Sequence, residues 1–598
     1  MKRKLIMFLT LFFMGIGIVM AQTQVRGTVV DEQGEPAIGA TIQVKGTTQG
    51  TVTDTNGNFN LSAPAGGTLI VSYVGYTTQE VPVSANVRVA LKTDAELLDE
   101  VVVTGYGTTT KKAFTGAASS IGNETLKTRL DANPVKSLSG TVPGINISLG
   151  SGQPGAPATV YIRGRNSLNS GTQPLYVIDG VPFETGNFTI RGSEGVEISP
   201  LSMINSEDIE SMTVLKDATA TSIYGARAAN GVIVITTKRG KTGFQANFTA
   251  RIGTARMPYF NDAYRPATAQ RYREGVVDAI DNAQKYMKNS SYFNVYENDY
   301  GHGYPNTKDG YDKWLSEWYL EIPFDEKNAT QWLDEITRSG LQQNYTLDIS
   351  GGGNYESAPR YFVSFDYLKD EGIILGKDLT RYSMRVNLDQ APLKFLKYGI
   401  NTNLSMTESN AGSGGGYFTD PITQAYMLNP WMPVYNEDGN WNMKTNTGYN
   451  PVAIRSEHGD KNFAKQYRAI VSPYVTLVFN DWLSFTSRMG LDAYILDDFG
   501  YWSFLNSQGK DMKGMGENGY YTNFYKTMSN IFNINKSWGH HHLNALVGHE
   551  GQATNYKGAY LSGSNYPVDY LNDVTLAAKP SSASTSRRTL KLLSFHPM

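Results

Sequence analysis

Beyond residue 240 the chain alternates with a period of two. Phe244, Ala246, Phe248, Ala250 and Ile252 are apolar, and Gln245, Asn247, Thr249 and Arg251 between them are polar. On a strand this puts one set on each face. The alternation returns at Tyr345-Leu347-Ile349, Tyr361-Val363-Phe365-Tyr367, Tyr382-Met384-Val386-Leu388 and Tyr398-Ile400-Thr402-Leu404-Met406. It recurs near Tyr467 to Phe479, Leu483 to Ile495, Tyr525 to Ile534 and Leu543 to Val547, and once more from about Arg588, for about ten strands. The connections alternate too. Long stretches (Met257 to Gly340, Glu408 to Gly459, Asp497 to Gly519, Thr554 to about Ser586) are separated by short ones such as Gly351 to Ala358, Ala391 to Phe395, Asn480-Asp481 and Gly539-His540, and Asp370 to Lys377 is short for its side. Apolar-out, polar-in strands with long loops at one end and tight turns at the other predict a transmembrane β-barrel over 241–598.

Residues 22–93 alternate as well, in shorter runs broken by turn signals. Val25, Gly27 and Val29 are followed by Ile42 and Val44, then Val52, the turn Asp54-Thr55-Asn56-Gly57, Phe59 and Leu61, and finally Leu69, Val71 and Tyr73. This predicts a small all-β sandwich. Residues 94–112 differ: Ala95 to Glu100 is acidic, Val101-Val102-Val103-Thr104 is β-prone, and Gly105-Tyr106-Gly107 leads into a polar, unpatterned stretch. A short sticky strand between such flanks is suited to capture by another sheet's edge. Residues 113–240 read as a mixed α/β segment. Its strands are expected at Pro174 to Pro182, closed by an Asp179-Gly180 turn, at Ile209 to Leu215, and at Gly231 to Thr237. Asp217 is the expected N-cap of a short helix through Ser222, which Tyr224-Gly225 breaks.

Lys2-Arg3-Lys4, the apolar run Leu5 to Met20, and Val19-Met20-Ala21 predict a cleaved signal peptide over 1–21. Because the run is shorter than the roughly 20 residues a spanning helix needs, an anchor is disfavoured. The composition of the 598 residues adds 60 Gly and 37 Tyr, which suit twisted strands and turns, and no Cys, which excludes disulfides and thiolate chemistry. With a net charge of -2 and scattered basic residues there is no nucleic-acid footprint.

Four blocks carry a specific resemblance: Asp99-Glu100-Val101-Val102-Val103-Thr104-Gly105-Tyr106-Gly107, Pro174 to Pro182, Val214 to Ala220 with Ile223 to Arg227, and Ala229 to Lys238. Their order over some 140 residues resembles the SusC/RagA family of TonB-linked outer-membrane proteins. The resemblance implies that Glu100, Val101, Val102, Val103, Thr104 and Gly105 form the TonB box, which adds as a strand to the inner-membrane protein TonB, and that 113–240 is the plug. It implies active import of oligosaccharides or oligopeptides across the outer membrane beneath a SusD-like surface lipoprotein, with outer-membrane lipid around the barrel. The sandwich and the box would then be periplasmic, the sandwich being similar to the regulatory-like domain found beside carboxypeptidases.

Trp482 and Trp538 flank short turns, where an interfacial girdle belongs. Trp314, Trp318, Trp332, Trp431, Trp441 and Trp502 are placed in the long loops, as candidate contacts to a ligand or lid protein or as loop-core packing. Asp54 to Asn58 fails the spacing of a calcium loop, and His540-His541-His542 lacks a third ligand, so no metal or cofactor is expected. Gly105-Tyr106-Gly107 is not a dinucleotide loop, and without a nucleophile elbow or Walker loop the chain is not expected to be an enzyme. A surface glycan-binding or adhesion protein and a TonB-linked signalling receptor are the alternatives.

The expected fold class is therefore mainly β: a small N-terminal sandwich, a mixed α/β plug, and an incomplete transmembrane barrel. Ten tilted strands close to a diameter of about 20 Å, whereas a plug of this size measures about 37 Å across. The 22-stranded barrel of the resembled family measures about 45 Å. On this reasoning the chain carries about ten of an expected 22 strands and is expected to be a truncated or frameshifted member. The ending Leu592 to Met598, with Pro597 and no terminal aromatic strand, points the same way.

Overall fold

The computed structural model describes the chain apart from residues 1–21, 32–33, 48, 74–75, 92–100, 104–107, 111–116, 128–130, 165–171, 184, 186–197, 218–220, 259–264, 287–328, 356, 411–419, 446–448, 540 and 598. It forms two compact units, residues 1–102 with 109–114, and residues 103–108 with 115–598. The proposed signal peptide lies outside the described residues.

The first unit is a sandwich of two sheets. Strands β1 (Gln22–Val30), β4 (Asn58–Pro64) and β7 (Asn86–Ala90) form one, in the order β4-β1-β7. Strands β2 (Thr41–Val44), β3 (Gly50–Val52), β5 (Thr68–Ser72) and β6 (Gln79–Pro82) form the other, in the order β3-β2-β5-β6. Every second residue points inward, so Val25, Val29, Ile42, Phe59, Leu61, Leu69, Val71 and Val89 make one core. Asp54 shapes the hairpin before β4 by accepting from the Asn56 and Asn58 amides at 2.9 and 2.8 Å. Where the chain leaves this unit, β8 (Val101–Val103) pairs with β9 (Thr108–Thr110).

The second unit begins with the segment expected as a plug. A five-stranded sheet has the order β10-β15-β16-β13-β14, from β10 (Ala118–Gly122), β13 (Leu175–Ile178), β14 (Val181–Phe183), β15 (Ile209–Leu215) and β16 (Val232–Thr237). Strands β11 (Ile145–Leu149) and β12 (Ala158–Ile162) form a separate hairpin. Continuous apolar runs such as Val232-Ile233-Val234-Ile235 are buried, as befits a central strand covered on both faces. The first turn of the helix expected after Asp217, residues 218–220, lies outside the described residues. The Asp217 carboxylate accepts from the Ala117 amide and so ties the entry of β10 to the end of β15.

Among the described residues of the remaining chain, ten strands form one antiparallel sheet in strict sequence order. These are β17 (Gly243–Ala255), β18 (Gly340–Gly352), β19 (Arg360–Glu371), β20 (Asp378–Leu393), β21 (Leu396–Asn410), β22 (Lys461–Asn480), β23 (Leu483–Trp502), β24 (Met515–Trp538), β25 (His541–Ser564) and β26 (Lys579–Pro597). All ten expected strands are present, and several are longer than the alternation marked. Up to 24 residues long, they exceed the roughly 9–11 a tilted strand needs to cross hydrocarbon. The surplus lies largely at the long-loop end, where tyrosines and charges obscure the apolar rhythm. The loops expected at 497–519 and 554–586 shorten accordingly, to 503–514 and 565–578, and the last strand starts at Lys579 rather than Arg588. Among the described residues, no helix is long and apolar enough to cross a membrane.

Candidate functional site: the plug and its seat in the strand wall

The wall is inside-out relative to a soluble sheet. Phe244, Phe248 and Ile252 of β17 are 71%, 69% and 68% exposed, and Leu347, Phe365, Leu404, Met489, Phe532 and Val547 on later strands also face outward. The buried positions between them are polar: Asn344, Thr346 and Asp348 on β18, Asp366 on β19, Arg381, Arg385 and Asn387 on β20, Asn401, Asn403 and Ser405 on β21. Such a sheet is stable when apolar solvent covers its outer face and polar matter fills its inner one. Trp482 and Trp538 are half exposed at the short-turn end, where Lys536 Nζ lies 4.7 Å from the Trp482 ring centre.

What fills the inner face is the plug, and arginines hold it there. Arg381 projects inward from β20. Its Nε and Nη2 donate to Asp366 of the neighbouring strand at 3.0 Å each, while Nη1 donates to three plug carbonyls: Ser202 at 2.8 Å, Ile204 at 3.0 Å and Ala132 at 3.3 Å. One guanidinium thus neutralises a buried wall carboxylate and satisfies backbone groups of two plug segments. Two repeats of the pleat further on, Arg385 lies 3.6 Å from Asp179 and 3.5 Å from Asp208, both plug residues. Burial drives the Asp208 carboxyl above its ordinary range, and Arg385 pulls it back only in part. Asn387 completes the row by donating to Thr237 Oγ1 at 3.0 Å and to the Lys238 carbonyl at 2.7 Å.

The seat extends around the wall. Arg468 of β22 pairs with Asp492 of β23 and lays its guanidinium 3.5 Å from the ring centre of plug residue Phe183. Next to it Ile470, an apolar residue on the polar face, joins the plug's own core beside Ile178 and Phe183. Arg488 donates to the Asp179 carbonyl. Gly490 lets the plug hairpin close on the wall, since a Cβ there would sit 2.8 Å from Val181. In the opposite direction, plug Arg227 reaches Glu550 at 3.1 Å and the Tyr525 hydroxyl at 2.8 Å, while from the wall Arg251 of β17 pairs with plug Glu207. At the exit from the plug Arg239 pairs with Asp389 at 2.7 Å, a carboxylate that also accepts from the Tyr474 hydroxyl at 2.6 Å.

Asp179 is the hub of this seat. With Gly180 it makes the two-residue turn between β13 and β14, at φ 48° and 83°. Its carboxylate accepts from the Thr237 amide at 3.0 Å and hydroxyl at 2.7 Å, locking β13 to β16 while facing Arg385. The sequence marked Asp179-Gly180 as a turn. It did not reveal the wall arginines, although period two alone puts Arg381 and Arg385 on the face opposite Tyr382 and Met384. A charge on a buried face needs a partner, and that rule was the available signal.

The residues singled out from sequence do not come together at one place. Of the TonB box, Val101–Val103 is strand β8, and Glu100, Thr104 and Gly105 lie outside the described residues, as do Trp314 and Trp318. Trp332 and Trp431, each 1% exposed, sit in a core built by the long loops, with Leu333, Ile336, Leu428 and Met432. The Trp332 indole donates to the Asn429 carbonyl at 3.2 Å, and Trp431 meets Tyr272 edge-on at 5.4 Å. Trp502 is the last residue of β23 rather than a loop residue, and it is buried. Trp441 alone among the described loop indoles belongs to a partly open surface, stacked 4.8 Å from the exposed ring of Tyr435. Among the described residues, no group of three metal-ligating side chains occurs.

Comparisons with known proteins agree with this architecture. Residues 25–103 match the CarboxypepD_reg-like domain, and residues 110–232 match the TonB-dependent Receptor Plug Domain. The TonB-dependent receptor SusC of Bacteroides thetaiotaomicron is 36% identical over 461 residues, covering 75% of this chain and 41% of that protein. The TonB-dependent receptor P3 of Formosa agariphila is 30% identical over 590 residues, covering 95% of this chain and 52% of that protein. The chain thus spans about half the length of the curated relatives it matches. Among solved structures, the RagAB peptide importer in its open-open state shares the fold, with a TM-score of 0.65 at 22% identity over 83% of this chain and 54% of that one. These relatives are receptors and transporters, not enzymes.

Proposed function

We propose that this chain, which is of the SusC/RagA type of TonB-dependent receptor, serves TonB-driven import of oligosaccharides or oligopeptides across the outer membrane, with a SusD-like lipoprotein as its surface partner. The observation that carries the reading is the inside-out wall with a plug held on its polar face by buried arginines. A permanent adhesin has no use for a separate plug domain tied to the wall by hydrogen bonds and ion pairs, which are interactions that can be broken and remade.

An outer membrane lacks a nucleotide supply and an ion gradient, so work on the plug has to arrive from the inner membrane. In this reading Glu100 to Gly105 adds as a strand to TonB, and several backbone hydrogen bonds loaded together carry the pull. Replacing Val102 with Pro removes a donor and bends that strand. Cells expressing an intact receptor of this type with Val102→Pro are expected to bind labelled ligand normally and to lose uptake. Unchanged uptake would overturn the assignment of the box. Between the two ligand classes, the open Tyr435–Trp441 stack favours sugar, whose apolar ring face suits an aromatic platform.

A further inference from the structure

The sandwich carries a surface that the transport reading does not use. On the outward face of the sheet β4-β1-β7 the strand register aligns two rows. Asn60, Arg26 and Asn86 make one row, and Asn58, Thr28 and Arg88 the other. Both arginines are exposed, and no carboxylate among the described residues pairs with either. The face is the floor of a groove of about 750 Å³, walled on one side by Thr51, Val52 and Asp54. Val52 is 60% exposed and offers the wall an apolar patch. The one carboxylate lining the groove, Asp54, is engaged by the amides of its own turn.

From this face we infer that the sandwich binds an extended acidic peptide, its carboxylates on Arg26 and Arg88 and its backbone on the asparagines. The spacing supports an extended chain. Arg26 and Arg88 lie on adjacent strands offset by two residues, hence about 7–8 Å apart, and same-face carboxylates of an extended peptide recur every 6.6–6.8 Å or so. The donor set supports a peptide. A planar guanidinium takes a carboxylate through two parallel bonds, and the Asn60 and Asn86 amides offer the donor and acceptor that a peptide group requires, while the Asn58 oxygen already accepts from the Thr28 hydroxyl at 2.8 Å. No aromatic side chain projects from the two rows, so the face lacks the stacking platform that a glycan or a nucleobase would use. The inference does not rest on the import reading, because the site lies wholly in the first unit and its test reads binding rather than uptake.

The test uses the full chain in detergent and a fluorescent octapeptide alternating Glu and Thr, titrated by anisotropy at low salt. Saturable binding is expected, with none for the Gln/Thr counterpart. Arg26→Gln and Arg88→Gln should each weaken binding about tenfold, and the double variant should abolish it. Both side chains are exposed, so the melting profile should not change, and Arg→Lys at either position should restore binding only in part because the fork is lost. A photo-crosslinking version of the peptide should label β1, β4 or β7. Equal affinity for the double variant, crosslinks confined to residues 243–597, or preference for a uronate oligosaccharide of equal charge would each overturn the inference.

Discussion

In β4 of the sandwich the buried positions are Phe59, Leu61 and Ala63 and the exposed ones Asn58 and Asn60. In β21 of the wall the buried positions are Asn401, Asn403, Ser405, Thr407 and Ser409, and Tyr398 and Leu404 are exposed. Both strands alternate with period two, and their sequences alone look alike. They differ in which half of the alternation faces the protein. The sandwich closes on hydrocarbon of its own and shows amides to water. The wall closes on polar groups and shows hydrocarbon outward. Alternation identifies a strand, then, while the identity of its solvent emerges only from length, loop order and what sits on the concave side.

Charge substitutions should separate the two regions most sharply. Arg381→Ala leaves Asp366 buried without its cation and strips the Ser202, Ile204 and Ala132 carbonyls of a donor. A loss of about 3–5 kcal/mol is expected in the denaturant stability of the second unit, with the plug exposed to protease. Arg26→Ala on the sandwich face should move stability by no more than about 0.5 kcal/mol. Replacing the pair together, as Arg381→Met with Asp366→Leu, should recover much of the loss, since a well-packed apolar pair removes two desolvation costs. Recovery of nothing would mean that the plug carbonyls, rather than the ion pair, dominate the site.

Next in size is the solvent on the outer face. Phe248→Lys, near the middle of β17, is expected to cost about 2–4 kcal/mol when the protein is folded into lipid vesicles. Asn60→Lys on the outward face of the sandwich should stay within about 0.5 kcal/mol. Equal tolerance of the two would refute a lipid-facing wall.

The smallest expected effect concerns pH. Burial raises the Asp208 carboxyl, with Arg385 opposing. A carboxyl whose folded-state pKa exceeds its unfolded value adds stability that is fully present below the unfolded value and is lost as pH rises through the folded one. The wild type should therefore gain plug stability relative to Asp208→Asn as pH falls from neutrality towards the ordinary carboxylate range. If the two titrate in parallel, Arg385 compensates fully for burial.

Much of this architecture was legible beforehand because it is written locally. All ten wall strands, the sandwich alternation, the Asp179-Gly180 turn and the four family blocks depend on residues close in sequence. What was missed depends on partners far apart. Arg381 lies 249 residues from Ala132 and 179 from Ser202, and no local pattern encodes those contacts. The tryptophans were ambiguous for a related reason. An indole in a long loop is apolar enough for a core and amphipathic enough for a ligand, and only the loops' mutual packing buries Trp332 and Trp431 while leaving the Trp441 stack partly open.

Asp179 brings two constraints to one position that no other side chain meets together. Its left-handed backbone tolerates Asn or Gly at little cost, but neither carries the charge that Arg385 faces. Glu keeps the charge and gives up the short side chain that makes such a conformation affordable. In evolutionary terms the position has no neutral neighbours. A lineage cannot drift through it by single substitutions without loosening either the hairpin or the tether to the wall, and a deep mutational scan should show it as intolerant even of Asn and Gly, the residues its backbone alone would accept.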